Sequence, residues 1–158
     1  MSMVDQRGDQ HLLQDIGLAL RHSELRPLYE VGTVRRRVLP GEEPVLDMGS
    51  VGGDQNLGQA IITRLLTPRG ELSGLAHPEY GSRLHELIGR QNTDTVRNLI
   101  KLFILDSLQG EPRIKEVSEV TVTPTSGRRD GVSVLLRVES VGAVSTLTIG
   151  PFTLELER

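Results

Sequence analysis

Cysteine and tryptophan are absent from this 158-residue chain, and aromatic residues of all kinds make up 3% of it. Without cysteine there can be no disulfide, no thiolate metal site and no cysteine nucleophile, so the chain suits a reducing compartment without being confined to one. Phe103, Phe152, Tyr29 and Tyr80 are the only large rings. The core must therefore be built from Leu, Val and Ile. Lysine is scarce too, two residues against sixteen arginines, and guanidinium favours fixed, bidentate pairing with carboxylates over diffuse attraction. The net charge of −3 supplies no basic field for nucleic acid or an anionic membrane surface. No apolar run approaches the roughly 20 residues that cross a bilayer, and residues 1–6 lack the basic and apolar parts of a signal. The expectation is a protein with no nucleic-acid partner, no membrane insertion and no cleaved leader.

The length suits one core with a small N-terminal extension, which places an extension at 1–50 and a domain at 54–158. Leu12, Leu13, Ile16, Ala19 and Leu20 recur at three- and four-residue spacing, which predicts a short amphipathic helix over about 10–22. Extended segments at 34–39 and 44–48 around Pro40-Gly41-Glu42-Glu43 predict a hairpin or extended arm, and Gly49-Ser50-Val51-Gly52-Gly53 predicts a flexible hinge. Asp54 is placed to cap a helix that buries Leu57, Ala60, Ile61 and Leu65 and stops before Pro68. A helical turn follows through Leu84, Leu87 and Ile88 to Gly89. The strongest helix runs from Thr93 or Asp94 to Leu108, with Val96, Leu99, Ile100, Phe103 and Ile104 on one stripe and Gly110 available to end it. Strands rich in Val, Thr and Leu are predicted at 116–123, 131–140 and 144–157, the last broken near Gly150-Pro151. Helices first and an antiparallel meander after them give an α+β fold, a C-terminal antiparallel sheet packed with two or three helices.

Most chemical motifs fail on spacing. His85-Glu86-Leu87-Ile88-Gly89 starts like a zinc-protease helix but has glycine where the second histidine is required. Ser73 stands one position away from a nucleophile elbow. The glycines at 49, 52, 53 and 58 match neither a dinucleotide fingerprint nor a P-loop. Arg35-Arg36-Arg37 lies in a predicted strand, where side chains alternate faces, so an edge-guarding or solvated strand is favoured over phosphate binding. No metal, cofactor or catalytic residue is expected. Glycoside hydrolysis needs two carboxylates across a sugar, one of raised pKa. Glu111 with Asp106 or Glu116 is the only pair worth weighing, and Arg113 two residues on would lower the Glu111 pKa instead.

The most informative residues are Glu111-Pro112-Arg113, between the strong helix and the first long strand. Pro112 fixes its own φ and biases Glu111 away from helical geometry, which suggests two charged side chains presented from a stiff, extended backbone. Two readings stay open on the residues alone. Exposed, unpaired side chains would favour docking to a partner; a closed internal network would favour a structural pairing.

Three stretches occur in order: residues 56–72, NLGQAIITRLLTPRGEL; residues 77–84, HPEYGSRL; and Glu111-Pro112-Arg113-Ile114. Together they resemble the lysozyme-like baseplate wedge family of contractile phage tails, which has relatives in type VI secretion and in extracellular contractile injection systems. The resemblance implies a structural protein with no established hydrolase activity, despite the family's lysozyme-like label. It implies that Glu111, Pro112 and Arg113 dock onto the helical core bundle of the wedge proteins. It further implies a sheet like the interlocking domain of the sheath subunit, so that the first sheath ring is templated by strand addition. Six copies per baseplate, assembly in the bacterial cytoplasm and incorporation into a tail or tail-like particle follow from the same likeness. For residues 1–50 it leaves the inner tube or the spike hub as contacts. The alternative reading is a peptidoglycan-cleaving enzyme using Glu111.

Overall fold

Helix α2 (Asp94–Leu108) forms for reasons local to its own residues. Thr93 has extended backbone and its hydroxyl accepts a hydrogen bond from Val96 N at 3.3 Å, which satisfies one of the free N–H groups of the first turn. Val96, Ile100, Phe103, Ile104 and Leu108 lie buried on one stripe. In the computed structural model the described residues are 14–18, 32–36, 40, 45–142 and 146–156. The second long helix, α1 (Gly53–Leu66), buries Leu57, Ile61, Ile62 and Leu65 against the same core. Its N-cap is Gly52. Asp54, expected as the cap, sits in the first turn, where its charge faces the positive end of the helix. The helix stops at Leu66, ahead of Pro68, as the proline requires. Two short 3₁₀ turns, Glu71–Leu75 and Leu84–Leu87, fill the connection between the helices.

The C-terminal sheet is the expected antiparallel meander: β5 (Ile114–Pro124), β6 (Gly131–Ser140) and β7 (Thr146–Glu155), in that order across the sheet. Central β6 carries Val132, Val134, Leu136 and Val138 at every second position, all fully buried, so one face of the sheet closes onto the helices. The predicted break in the last strand is a bulge instead. Leu136 pairs with Ile149 and Val134 with Phe152, so Gly150 and Pro151 together oppose Leu135 while the strand continues. A proline is accommodated there because an outer strand at a bulge needs no ladder donor.

The N-terminal extension differs from expectation. Where described, the predicted helix over 10–22 is a strand, β1 (Gln14–Ile16), antiparallel to β4 (Ser50–Gly52); the other positions of that helix lie outside the described residues or, as at Gly17 and Leu18, in non-helical backbone. Three- and four-residue spacing over barely three turns is a weak constraint, and backbone bonds to a distant segment override it. The predicted hinge is likewise structured, since Gly49 is buried and Ser50–Gly52 is a paired strand. The arm is a hairpin as expected, β2 (Thr33–Arg36) against β3 (Val45–Met48). Its predicted turn around 40–43 lies largely outside the described residues.

Ile104 is wholly buried and Leu102 is 57% exposed on the same helix. Replacing Ile104 with Ala should lower the stability by about 3 kcal/mol through lost transfer energy and a residual cavity. Leu102→Ala should change it by less than about 0.5 kcal/mol. Urea unfolding of the two variants checks the contrast.

Candidate functional site

Helix α2 passes the chain to β5 through a turn closed by two backbone hydrogen bonds, Glu111 N–H to Leu108 O and Ile114 N–H to Glu111 O, both 3.1 Å. Pro112 occupies the second position of the turn from Glu111 to Ile114, where a fixed φ near −65° is what the geometry asks for. The segment is stiff, as its proline predicts, but it is curled and not extended. Curling brings the two charged side chains together. Arg113 Nε donates to Glu111 Oε1 at 2.6 Å and Nη2 to Oε2 at 3.0 Å, a bidentate fork, and the Arg113 backbone N–H reaches Oε1 at 3.3 Å.

A second guanidinium arrives from the last turn of α1. Arg64 Nη2 lies 3.6 Å from Glu111 Oε2 and donates to the carbonyl of Gly110 at 3.4 Å, while the Tyr80 ring lies 4.5 Å from the guanidinium carbon. Gly110 makes room for it: a Cβ there would sit 3.1 Å from Arg64 Nη1. Tyr80 is held by a loop threaded between the ends of the two helices. Ser82 N–H donates to Thr67 O (2.8 Å), Arg69 N–H to Ser82 O (2.9 Å), Ser82 Oγ to Leu65 O (2.6 Å) and Ser107 Oγ to Gly81 O (2.9 Å). Gly81 has φ +105°, and a Cβ there would meet Thr67 O at 2.4 Å, so glycine alone fits.

The three stretches singled out in the sequence thus converge on one cluster, with Arg64 from 56–72, Tyr80 from 77–84, and Glu111 and Arg113 from the turn. Glu111 is 7% exposed and Arg113 is largely covered, whereas Pro112 faces solvent. Burial pushes the Glu111 carboxyl up, but hydrogen bonds and charge from Arg113, aided by Arg64, overcome it and hold the pKa below the ordinary carboxylate range. The same pairing raises Arg113. Burial raises the Tyr80 phenol despite the neighbouring Arg64. Of the two sequence readings, the closed network describes Glu111.

Arg64 and Tyr80 were not singled out individually from the sequence. A signal for Arg64 existed, because it falls on the same helical face as Leu57, Ile61 and Leu65, where an arginine has to find a partner. Nothing comparable marks Tyr80. The carboxylates weighed as partners of Glu111 are elsewhere: Asp106 is bound to Arg69 at 2.6 Å, and Glu116 is exposed in β5 opposite Glu139. Outside the network lies a cleft of about 580 Å³ lined by Gln14, Asp15, Asn56, Glu111, Pro112, Arg113 and Val141. Its second carboxylate is Asp15, from the N-terminal extension.

No family model matches the chain, and no curated protein matches it by sequence. Among solved structures, a Geobacter sulfurreducens protein provisionally described as a tail lysozyme matches with a TM-score of 0.53 and 21% identity, over 66% of this chain and 92% of that one. At that identity the likeness shows a shared fold.

Because the native pKa of Glu111 is depressed, its contribution is fully present above the unfolded-state value and is lost as pH falls through the native one. Glu111→Gln should cost about 2 kcal/mol at neutral pH. That deficit should shrink on acidification through and below the ordinary carboxylate range. Urea denaturation of both proteins across pH measures it; a deficit independent of pH would show that the carboxylate charge is not what the arginines hold.

Proposed function

We propose that the chain is a structural baseplate component of a contractile injection system. In this reading the corner at Glu111, Pro112 and Arg113 docks onto the helical core bundle of the wedge proteins, and the three-stranded sheet templates the first sheath ring by strand addition. The observation that carries the proposal is the convergence of the three sequence stretches on one rigid corner. The likeness in fold to a protein described as a tail lysozyme supports it, and so does a sheet whose outer strands, β5 and β7, pair with no further strand among the described residues. Within this reading Glu111 positions the corner and Pro112 presents it. The wedge proteins and the sheath subunit are the partners, and the protein works without catalysis in a tail or tail-like particle.

A second reading, peptidoglycan cleavage, has one observation in its favour, since Asp15 and Glu111 line a common cleft. Against it, both oxygens of Glu111 are engaged by Arg113 and the carboxyl is held ionised, the opposite of what a general acid needs.

Since removing Glu111 would strain the fold, the docking test uses residues outside the network. Pro112→Asp combined with Val141→Asp changes two exposed positions at the cleft. Particles produced with this variant from its own gene cluster should lack sheath under the electron microscope, while the purified chain stays folded and loses no more than about 1 kcal/mol, the contribution of the proline constraint. Normal sheath would sink docking at the corner. In parallel, purified wild-type protein should release no fragments from peptidoglycan; release that disappears in Glu111→Gln would establish the enzymatic reading instead.

A further inference from the structure

The cleft at the corner has two walls from opposite ends of the chain. One is Glu111, Pro112 and Arg113 with Val141; the other includes Gln14 and Asp15 of β1. We propose that β1 is a working wall of the docking corner, fixed in place by a clasp of three glycines, and that Asp15 reads a lysine or arginine on the protein that docks there. The proposal rests on the docking reading above and adds the N-terminal extension to it.

A three-residue strand with exposed side chains would ordinarily fray. Here it is held by bonds that involve no side chain of its own. Gly17 N–H donates to Gly49 O, Gly49 N–H to Gly32 O and Gly32 N–H to Gly17 O, each at 2.7 Å, a closed ring joining three separate segments. A Cβ on Gly17, Gly32 or Gly49 would lie 3.3, 3.0 or 3.2 Å from the carbonyl oxygen of its neighbour in the ring, so a side chain at any of the three would force the neighbouring backbone to give by a few tenths of an ångström. Gln59 of α1 adds a two-point grip. Its amide donates to Ile16 O at 2.9 Å and accepts from Leu18 N–H at 2.8 Å. These contacts bring Asp15 to the cleft as part of the domain.

The charge at the rim selects the partner chemistry. The oxygens of Glu111 are occupied by Arg113. Asp15 is exposed, accepts the neighbouring Ile16 N–H at 2.7 Å, and feels the charge of Arg113 across the cleft without closing an ion pair with it among the described residues. Pro112 and the 45%-exposed Val141 line the same cleft. An acceptor beside apolar surface suits a cationic head on an aliphatic stem.

The test uses Asp15→Lys, Asp15→Glu and Gly32→Ala, in particles made from the gene cluster and in the purified chain. Asp15→Lys should reduce sheathed particles at least tenfold with an unchanged unfolding midpoint, whereas Asp15→Glu should keep them near wild type. Gly32→Ala should speed hydrogen exchange at the Gly17 and Leu18 amides at least tenfold and leave α2 amides unaffected. Wild-type assembly by Asp15→Lys overturns the charge reading, and unchanged exchange in Gly32→Ala overturns the clasp. If the Pro112 and Val141 double variant blocks assembly while Asp15→Lys does not, this inference fails alone; if both assemble normally, the docking reading fails with it.

Discussion

One carboxylate, that of Glu111, sits where the end of α1, the Tyr80 loop, the end of α2 and the start of β5 meet, and the geometry of that junction depends on its charge. A buried ion pair adds little net stability compared with an apolar contact of the same shape, because desolvation offsets most of the attraction. What it supplies is orientation. A two-bond fork between planar groups tolerates a narrow range of relative positions, so Arg113 fixes how β5 leaves the turn. Arg64, lodged against Gly110 and Tyr80, ties that turn back to the first helix. Ser82 and Ser107 then lock the intervening loop to both helix ends through main-chain carbonyls. The junction is thus held by polar contacts laid over an aliphatic core that supplies the burial energy.

Internal neutralisation changes what the corner can offer a partner. A free Glu and Arg pair would act through long-range steering and would respond strongly to salt. Here the two charges are committed to each other, and the outward surface consists of Pro112, Val141, Gln14 and Asp15. Recognition at such a surface depends on a rigid outline and a few rim contacts, with the buried pair acting as its support. In the proposed reading, docking at Glu111 and Arg113 would act through the shape they maintain, with the contacts falling to their neighbours.

Legibility followed the range of the interactions. The stripe Val96, Ile100, Phe103, Ile104, Leu108 and the alternation Val132, Val134, Leu136, Val138 are local patterns that tertiary structure leaves intact, so α2 and β6 lie within a residue of where periodicity puts them. At Ile16 the local pattern misleads, because its strand exists only through β4, Gln59 and the glycine ring, all more than thirty residues away or fixed by backbone alone. The segment Gly49 to Gly53 reads as a hinge for the same reason: glycine signals freedom locally and close approach globally, and only the partner segments decide which. At the site, the proximity of Glu111 and Arg113 was visible, since two residues separate them little in any conformation. That they close on each other required knowing that Pro112 turns the chain and that Arg64 arrives from 47 residues away.

The fold shared with a protein described as a tail lysozyme does not itself carry hydrolysis, since chemistry belongs to sites and not to scaffolds. A glycosidase acid must hold its proton at neutral pH, which requires a carboxyl kept away from cations in an apolar setting. This corner does the reverse. Arg113 and Arg64 favour the ionised form strongly enough to outweigh burial, and removing them to restore acidity would also release the fork that orients the carboxyl. Rigidity and acid catalysis thus make opposite demands on the charges around Glu111, and the arrangement satisfies the first. That conflict, more than the absence of any motif, favours a positioning role for Glu111 over a chemical one.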